Sequence, residues 1–358
     1  MVFITGPRQV GKTWLARKAA ERFKNSVYLN YDSYEDRKII KKNLWMPDVE
    51  LIIFDEIHKM QGWKNYIKGV YDTKPENQNI IVTGSAGLDF MKHSGDSLAG
   101  RYFRHRLLPL GLAELPKDRV KQKSIEQLMK RGGFPEPFTA DDDIDADRWR
   151  MQYIDGIIRT DILDFEKIHD FKAIQTVLDI LRHRVGSPIS YSSIAEDCGI
   201  ASNTVKKYIQ IFEALFIVFR VVPHSKNIAR SLLKEPKIYF YDTGMVIGDK
   251  GAVFENFVAV SLLKHIYGLN DYKAIPAELK YIRTKDGREV DFCITEYNKP
   301  TTMIECKYSD DTISSNLFHF EKKYGIPAIQ LVYQLRAERF EKNVSILKAD
   351  KYLTDLFL

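Results

Sequence analysis

The chain has 358 residues, too many for one ordinary hydrophobic core, and at about 100–200 residues per domain it should form two or three domains. Hydrophobic residues make up 44% of the chain and charged residues 28%, which excludes a disordered or collagen-like protein. The formal charge of +6 permits a nucleic-acid partner without requiring one.

The first motif follows a short apolar strand predicted for residues 1–5. Residues 6–13 read GPRQVGKT and match the phosphate-loop pattern G-x-x-x-x-G-K-[ST] in full. The nucleotide-binding residues predicted from this pattern are Gly6, Pro7, Arg8, Gln9, Val10, Gly11, Lys12 and Thr13. The glycines let successive N–H groups face a phosphate, and the helix predicted to follow points its N-terminus at the same place. Because a strand precedes the motif and a helix follows it, we favour nucleotide binding over a chance glycine-rich turn.

Two side chains of this loop should act directly on the nucleotide. Lys12 should reach the β- and γ-phosphates, and it should face solvent while the loop is empty. Thr13 should offer its hydroxyl to Mg²⁺.

A second motif supplies the carboxylates that such a site needs. Residues 51–56 read LIIFDE, the pattern of a buried parallel strand whose carboxyl end faces a ligand. Asp55 is expected to complete the Mg²⁺ shell, and Glu56 is expected to orient and deprotonate the attacking water. The alternative is an ordinary core strand with an acidic end.

The third predicted strand, residues 79–85, ends in small hydroxyl residues that could contact the γ-phosphate or the attacking water. We favour Ser85 in this role and place Thr83 second, while a simple strand-to-turn ending is the alternative. Residues 100–106 then contain three arginines close together in the sequence. We predict that Arg101 stabilises the transition state on a neighbouring copy's phosphates, although most surface arginines only interact with solvent.

Several of these stretches together resemble a known family. It is the family of predicted AAA-type ATPases of archaea and bacteria whose C-terminal domain of unknown function has a restriction-endonuclease-like core. The matching stretches are TGPRQVGKT, LIIFDEIHK, IIVTGSA, LAGR shortly before LPL, and RGGFPEP at residues 131–137. The resemblance covers nearly the whole chain. Its first two stretches are specific for nucleotide binding, whereas the others identify the family more than the activity.

The middle of the chain predicts a helix-turn-helix pattern. An acidic run at residues 141–147 is interpreted as a solvated connector, and residues 148–165 as a bridging helix. Helices are then predicted for residues 173–185, 192–198 and 202–215, with a turn at Gly199 and a wing strand at residues 216–222. The outer face of the last helix carries residue types that approach DNA, namely Asn203, Thr204, Lys206, Lys207 and Gln210. Contact with another protein is the equal alternative.

The last third contains a second group of chemically active residues. Asp291 lies on one predicted strand, and fourteen positions later the next strand carries Glu305 and Lys307 on one face. Restriction-type nucleases bring two carboxylates and a lysine together with this spacing. With Glu255 from the preceding helix, Asp291 and Glu305 are predicted to hold Mg²⁺, and Lys307 to steer the hydrolytic water. A surface ion pair between Glu305 and Lys307 is the alternative.

Cysteine spacing and hydropathy predict the cellular compartment of the protein. Cys198, Cys293 and Cys306 are far apart, which argues against a disulfide framework or a zinc site. The longest apolar run, residues 214–222, is interrupted by Arg220 and is much shorter than the roughly 20 residues of a membrane span. No signal-peptide pattern is present at the N-terminus. We therefore expect reduced thiols, a cytoplasmic location and no membrane partner.

These patterns combine into one expected architecture. It is an α/β protein with a P-loop AAA-type ATPase core at 1–115, a lid and linker at 116–165, a winged-helix-like part at 166–225 and a nuclease-like domain at 226–358. The expected function is ATP binding and hydrolysis with Mg²⁺, coupled to DNA binding or processing. One alternative is a nucleotide-switched protein-interaction module with an inactive nuclease-like scaffold, and another is a metal-dependent nuclease regulated by ATP. The expected partners are ATP, DNA and a second copy of the chain in a homo-oligomer.

Overall fold

The computed structural model describes residues 1–84, 98–116, 122–161, 170–224, 235–284 and 286–357. The chain forms two compact units. The first comprises Met1–Leu108 with Ala214–Phe216, and the second comprises Pro109–Glu213 with Ile217–Leu358. Ser85, the favoured polar sensor, lies outside the described residues, so its role stays a prediction.

The first unit contains a five-stranded parallel sheet. Its strands are β1 (Val2–Thr5), β2 (Ser26–Asn30), β3 (Leu51–Asp55), β4 (Asn79–Gly84) and β5 (Phe103–Arg106), in the order β2-β3-β4-β1-β5. Its helices are α1 (Lys12–Ala20), α2 (Tyr34–Lys42) and α3 (Trp63–Thr73). The parallel arrangement places the carboxyl ends of all five strands at one edge.

Apolar side chains cover both faces of this sheet. On β3, Ile52 and Phe54 belong to one core cluster, which also contains Ile67 of α3. The alternate residues Leu51 and Ile53 belong to the opposite cluster with Ala16 of α1. A strand buried on both faces must be a continuous apolar run, which explains the sequence LIIF.

The second unit begins with helices. They are α4 (Gln122–Arg131), α5 (Pro135–Thr139), α6 (Asp143–Gly156), α7 (Phe171–His183), α8 (Tyr191–Cys198) and α9 (Ser202–Ala214). A π-helical turn at Ile157–Asp161 follows α6. The predicted helices of residues 173–215 are present, with Gly199 in the left-handed conformation at the end of α8. Val205, Tyr208, Ile209 and Phe212 form the buried face of α9.

Most of the acidic run is exposed to solvent, but its interpretation as a connector is wrong. Its residues begin α6, where the Asp142 side chain accepts a hydrogen bond from the Asp145 N–H at 2.9 Å. Asp143 pairs with Arg131 at 2.7 Å and also with Lys130. Carboxylates cap the free N–H groups of a first helical turn and are stabilised by the positive end of the helix dipole. A dense acidic run can therefore start a helix as readily as it can link domains.

An eight-stranded sheet completes the second unit. Its strands are β6 (Val218–Pro223), β7 (Lys237–Phe240), β8 (Ala277–Arg283), β9 (Glu289–Glu296), β10 (Lys299–Lys307), β11 (Ala328–Val332), β12 (Arg339–Glu341) and β13 (Val344–Lys348). Their order is β12-β13-β11-β10-β9-β8-β6-β7. The accompanying helices are α10 (Lys250–Tyr272), α11 (Ser315–Tyr324) and α12 (Ala349–Thr354).

The predicted wing strand is present as β6, but it is part of this sheet and does not form a separate wing. It pairs antiparallel with β7 and parallel with β8. Most of its side chains are buried, and a buried strand needs hydrogen-bond partners on both edges. The expected boundary at residue 225 thus falls between two paired strands.

Helix α10 is fastened to the sheet by a buried amide. Asn256 accepts a hydrogen bond from the Phe240 N–H at 2.8 Å and donates one to the Phe240 carbonyl at 3.0 Å. This pairing fixes the neighbouring residue, Glu255, beside β7. Among the described residues, no helix is long and apolar enough to cross a membrane.

Candidate functional site

The loop after β1 is shaped to hold an anion. Gly6 has a φ of 151°, and a Cβ on it would lie 2.0 Å from the Leu107 carbonyl oxygen. Gly11 has a φ of 100° and immediately precedes α1. Since a glycine offers no side chain to cap the first N–H groups of that helix, those groups remain available for a phosphate.

The Lys12 side chain folds back onto the phosphate loop. Its side-chain amine donates to the Gly6 carbonyl at 3.0 Å and to the Pro7 carbonyl at 2.5 Å, and the residue is 7% exposed. The expectation that Lys12 faces solvent is wrong, because the two carbonyls bind the ammonium group before any phosphate arrives. Burial lowers the pKa of Lys12 to about 8, although the negative charges of Glu56 and Asp55 oppose that shift.

Asp55 collects three hydroxyl groups at the carboxyl end of β3. Thr13, the other residue predicted to hold Mg²⁺, donates to its Oδ2 at 2.8 Å. Thr83, the second choice for the polar sensor, donates to its Oδ1 at 2.5 Å. Tyr28 of β2 donates to its Oδ2 at 2.6 Å and was missed by the sequence analysis. Burial, followed by the hydrogen bond to Asp55, raises the pKa of Tyr28 to about 12, so its hydroxyl remains a donor at neutral pH.

The donor set around Asp55 fits a magnesium ion. Mg²⁺ prefers oxygen ligands and is commonly held by one carboxylate, a hydroxyl and the phosphates of the nucleotide. Thr13 and Asp55 supply the hydroxyl and the carboxylate within hydrogen-bonding distance of each other. These two residues would therefore hold the ion beside the phosphate loop.

Glu56 adopts a backbone conformation that is uncommon for its residue type. Its φ is 55°, in the left-handed region, directly after β3 ends. Its carboxylate lies 3.6 Å from His58 Nε2 and 3.6 Å from Lys59 Nζ, and the side chain is 20% exposed. Such strain is concentrated at functional sites, which agrees with the role predicted for Glu56.

Arg101 lies at the other end of the sheet from its own phosphate loop. It precedes β5, whose first residue, Phe103, pairs with Val2 at the start of β1. The phosphate loop follows the last residue of β1. The Arg101 guanidinium forms a two-pronged ion pair with Asp72 at 2.8 and 3.2 Å. Its predicted action on a neighbouring copy's nucleotide therefore stays a prediction and would require this ion pair to open.

The predicted residues of the C-terminal group do come together. On paired strands, Cys306 donates its backbone N–H to Asp291 Oδ2 at 2.9 Å, and Lys307 donates to Glu305 Oε1 at 3.0 Å. Glu255 of α10 joins them through a residue that the sequence analysis missed, Lys237 at the start of β7.

Lys237 lies at the centre of this group. Its Nζ is 2.7 Å from Glu289, 3.3 Å from Glu255 and 3.5 Å from Asp291. Tyr239 donates to Glu255 Oε1 at 2.6 Å. We name Lys237 with its surrounding carboxylates, Glu255, Glu289, Asp291 and Glu305, the acid cluster. In the part of the chain that the structure describes, no three Asp, Glu, His or Cys side chains form a group that could hold a metal ion.

The raised pKa values of two carboxyl groups in the acid cluster predict that the free energy of unfolding depends on pH. Burial, followed by the charge of Asp291, raises the pKa of Glu255 and of Glu305 to about 7 from an ordinary value of 4.5. Between these values the folded chain binds more protons than the unfolded chain, so stability falls as pH rises. We expect the melting temperature of the second unit to increase when the pH is lowered from 8 to 6.

Thermal unfolding of Glu305→Gln at the same pH values checks this assignment. The variant lacks one of the two titrating carboxyls, so its melting temperature should change less with pH than that of the parent. Glu338→Gln is the control, because the hydrogen bond from Lys351 lowers the pKa of Glu338. An unchanged pH dependence in Glu305→Gln would contradict the assignment.

Comparison with known proteins divides the chain into three matched parts. Residues 1–115 match the model of the AAA domain family, residues 122–248 match a domain of unknown function, DUF8612, and residues 250–352 match another, DUF4143. An uncharacterized protein of Mycobacterium tuberculosis is 25% identical over 99% of this chain and 81% of its own length. One of Methanocaldococcus jannaschii is 25% identical over 89% of this chain and 77% of its own length.

Among solved structures, a variant of Thermotoga maritima RuvB aligns with 62% of this chain and 81% of its own, at 17% identity and a TM-score of 0.31. The resemblance drawn from the motifs is confirmed by the family models and by relatives in bacteria and archaea. The chain carries an AAA domain at its N-terminus and a DUF4143 domain at its C-terminus.

Proposed function

We propose that this chain, an AAA domain followed by a DUF4143 domain, hydrolyses ATP with Mg²⁺ and couples the hydrolysis to the binding or processing of DNA. The observation that carries the ATPase part is the convergence on Asp55. A buried carboxylate accepts the hydroxyl of the phosphate-loop threonine, while the phosphate-loop lysine spans the same loop.

Each group has a distinct task in this proposal. The N–H groups that begin α1 bind the phosphates, and Lys12 exchanges its two carbonyl partners for phosphate oxygens. Glu56 orients the attacking water and accepts its proton. Tyr28 and Thr83 hold the Asp55 carboxylate in place. Thr13 and Asp55 would hold a Mg²⁺ ion, which would supply positive charge beside the phosphates.

The DNA part of the proposal is supported by the outer face of α9. Asn203, Lys206, Lys207 and Gln210 are exposed, while the opposite face of the helix is buried. Two adjacent lysines flanked by amide side chains can contact phosphates and base edges. A protein partner with an acidic surface would meet the same face, and the test below distinguishes the two.

Changing Lys206 and Lys207 together to Glu should weaken DNA binding to a similar degree for all sequences. Each lost phosphate contact reduces the slope of log affinity against log salt by about 0.9, so the slope should fall by about two. Fluorescence anisotropy with labelled duplex DNA at several salt concentrations measures both quantities. ATP hydrolysis with and without DNA should show that DNA stimulates the parent and not the variant.

Lys322→Glu with Lys323→Glu is the matched control. These two exposed lysines are also adjacent on a helix of the second unit, at the end of α11. The control should retain the affinity and the salt dependence of the parent. If Lys206→Glu with Lys207→Glu retains them as well, α9 does not bind DNA and the nucleotide-switched protein-interaction alternative is favoured.

A further inference from the structure

We propose that Lys237 is a built-in cation that takes the place of a divalent metal ion in the acid cluster, so that the DUF4143 domain uses this cluster without a metal. The inference concerns the second unit alone. It does not depend on ATP hydrolysis or on DNA binding by α9.

The position of the ammonium group is the first argument. Lys237 Nζ lies 2.7 Å from Glu289, 3.3 Å from Glu255 and 3.5 Å from Asp291. An ammonium group has three N–H donors, one for each of these carboxylates. The carboxylates come from β9 and α10, while the lysine comes from β7, so three elements of the fold meet at one cation.

Burial is the second argument. The Lys237 side chain is 1% exposed, whereas the three carboxylates that contact it are 17–23% exposed. The positive charge therefore lies beneath the carboxylates, on the inner side of the cluster. Burial by itself lowers the pKa of Lys237, but the carboxylates outweigh it and raise the pKa above its usual value, so the amine remains charged.

Neighbouring groups engage further oxygens of the cluster. Cys306 N–H donates to Asp291 Oδ2 and Lys307 donates to Glu305 Oε1, while Tyr239 donates to the same Glu255 Oε1 that faces Lys237. Gly186 packs so closely on the cluster that a Cβ there would lie 2.8 Å from both oxygens of Glu255. Among the described atoms, Glu305 Oε2 is buried without a partner, and one oxygen does not make a metal site.

A divalent ion and this ammonium group exclude each other. Magnesium and manganese need several oxygen ligands at roughly 2 Å, and the same carboxylates already face a positive charge within hydrogen-bonding distance. Like charges that share one set of buried carboxylates repel each other strongly. The residues of this cluster therefore do not fit the metal that a restriction-endonuclease-like core implies.

The test compares Mn²⁺ binding in the parent with that in Lys237→Ala, which removes the charge and leaves space for an ion. Without metal the variant should melt at a lower temperature than the parent, because its carboxylates lose their cation. Saturating MnCl₂ should raise the melting temperature of Lys237→Ala by about 5 °C and leave that of the parent unchanged. Lys237→Met removes the charge and fills the space, so it should respond less than the alanine variant.

Lys264→Ala is the matched control, because Lys264 is also buried in the second unit but pairs with a single carboxylate, Glu114. It should lose stability without recovery in MnCl₂. A failure of Lys237→Ala to respond to MnCl₂ overturns the proposal. So does a rise in the parent's melting temperature that Asp291→Asn abolishes, and this measurement remains decisive if the Lys237 variants do not fold.

Discussion

Glu56→Gln should lower ATP turnover by about 10²- to 10⁴-fold while nucleotide binding is retained, since that is the range supplied by a positioned general base. Glutamine keeps the length and shape of the side chain but cannot accept a proton from water. The left-handed backbone at Glu56 fixes where the side chain begins, and this backbone should remain in the variant. Steady-state phosphate release measures turnover, and a fluorescent ATP analogue measures binding.

Glu50→Gln is the matched control for this variant. Glu50 precedes β3, at the opposite end of the same strand, and its carboxylate accepts the Lys24 N–H at 3.0 Å. Its turnover should equal that of the parent. Unchanged turnover in Glu56→Gln would remove Glu56 from the mechanism, whereas a loss of nucleotide binding would assign it to the binding site instead.

Lys12→Ala should weaken ATP binding by about 10²-fold or more, because a hydrogen bond to a charged group contributes about 1.5–3 kcal/mol and Lys12 would reach two phosphates. The variant also loses the ammonium group that bridges Gly6 and Pro7, so the empty loop should become less ordered. Circular dichroism should show that the rest of the fold is kept. Calorimetric titration with ATP in the presence of Mg²⁺ measures the affinity.

The pH dependence of the same titration identifies Lys12 directly. Its pKa of about 8 in the empty loop means that part of the population is neutral above pH 8. Phosphate binding favours the charged form, so the affinity of the parent should fall as pH rises from 7 to 9. Lys18→Ala, at an exposed lysine of the same helix, should keep this dependence. Lys12→Ala should lose it, and its persistence there would contradict the assignment.

Much of the nucleotide site could be predicted because its signals are local. The phosphate loop is contiguous in sequence, and the residues that end β3 follow an unmistakable apolar run. The rule that parallel strands place their carboxyl ends at one edge then joins Thr13 to Asp55 across 42 positions. Tyr28 could not be found in this way. Its strand becomes the neighbour of β3 only through the strand order, which periodicity does not encode.

In the C-terminal domain, too, some site residues could be predicted from the sequence and one could not. Alternation along β10 placed Glu305 and Lys307 on one face, and strand pairing brought Asp291 beside them. Lys237 gave no comparable signal, since it opens an apolar strand as many surface lysines do. Its role becomes visible only when β9 and α10 pack beside β7 and surround its ammonium group with three carboxylates.

The sequence by itself determined the elements, the phosphate loop and the identity of the residues available for chemistry, because hydrophobic periodicity and turn residues act over a few positions. The tertiary structure alone decided that Arg101 lies at the far edge from its own loop, that an acidic run starts a helix, and that a lysine fills the acid cluster. Each of these depends on which segments pack together across long stretches of chain. That choice is made by burial of the whole core, and burial converts an ordinary lysine into a fixed internal charge.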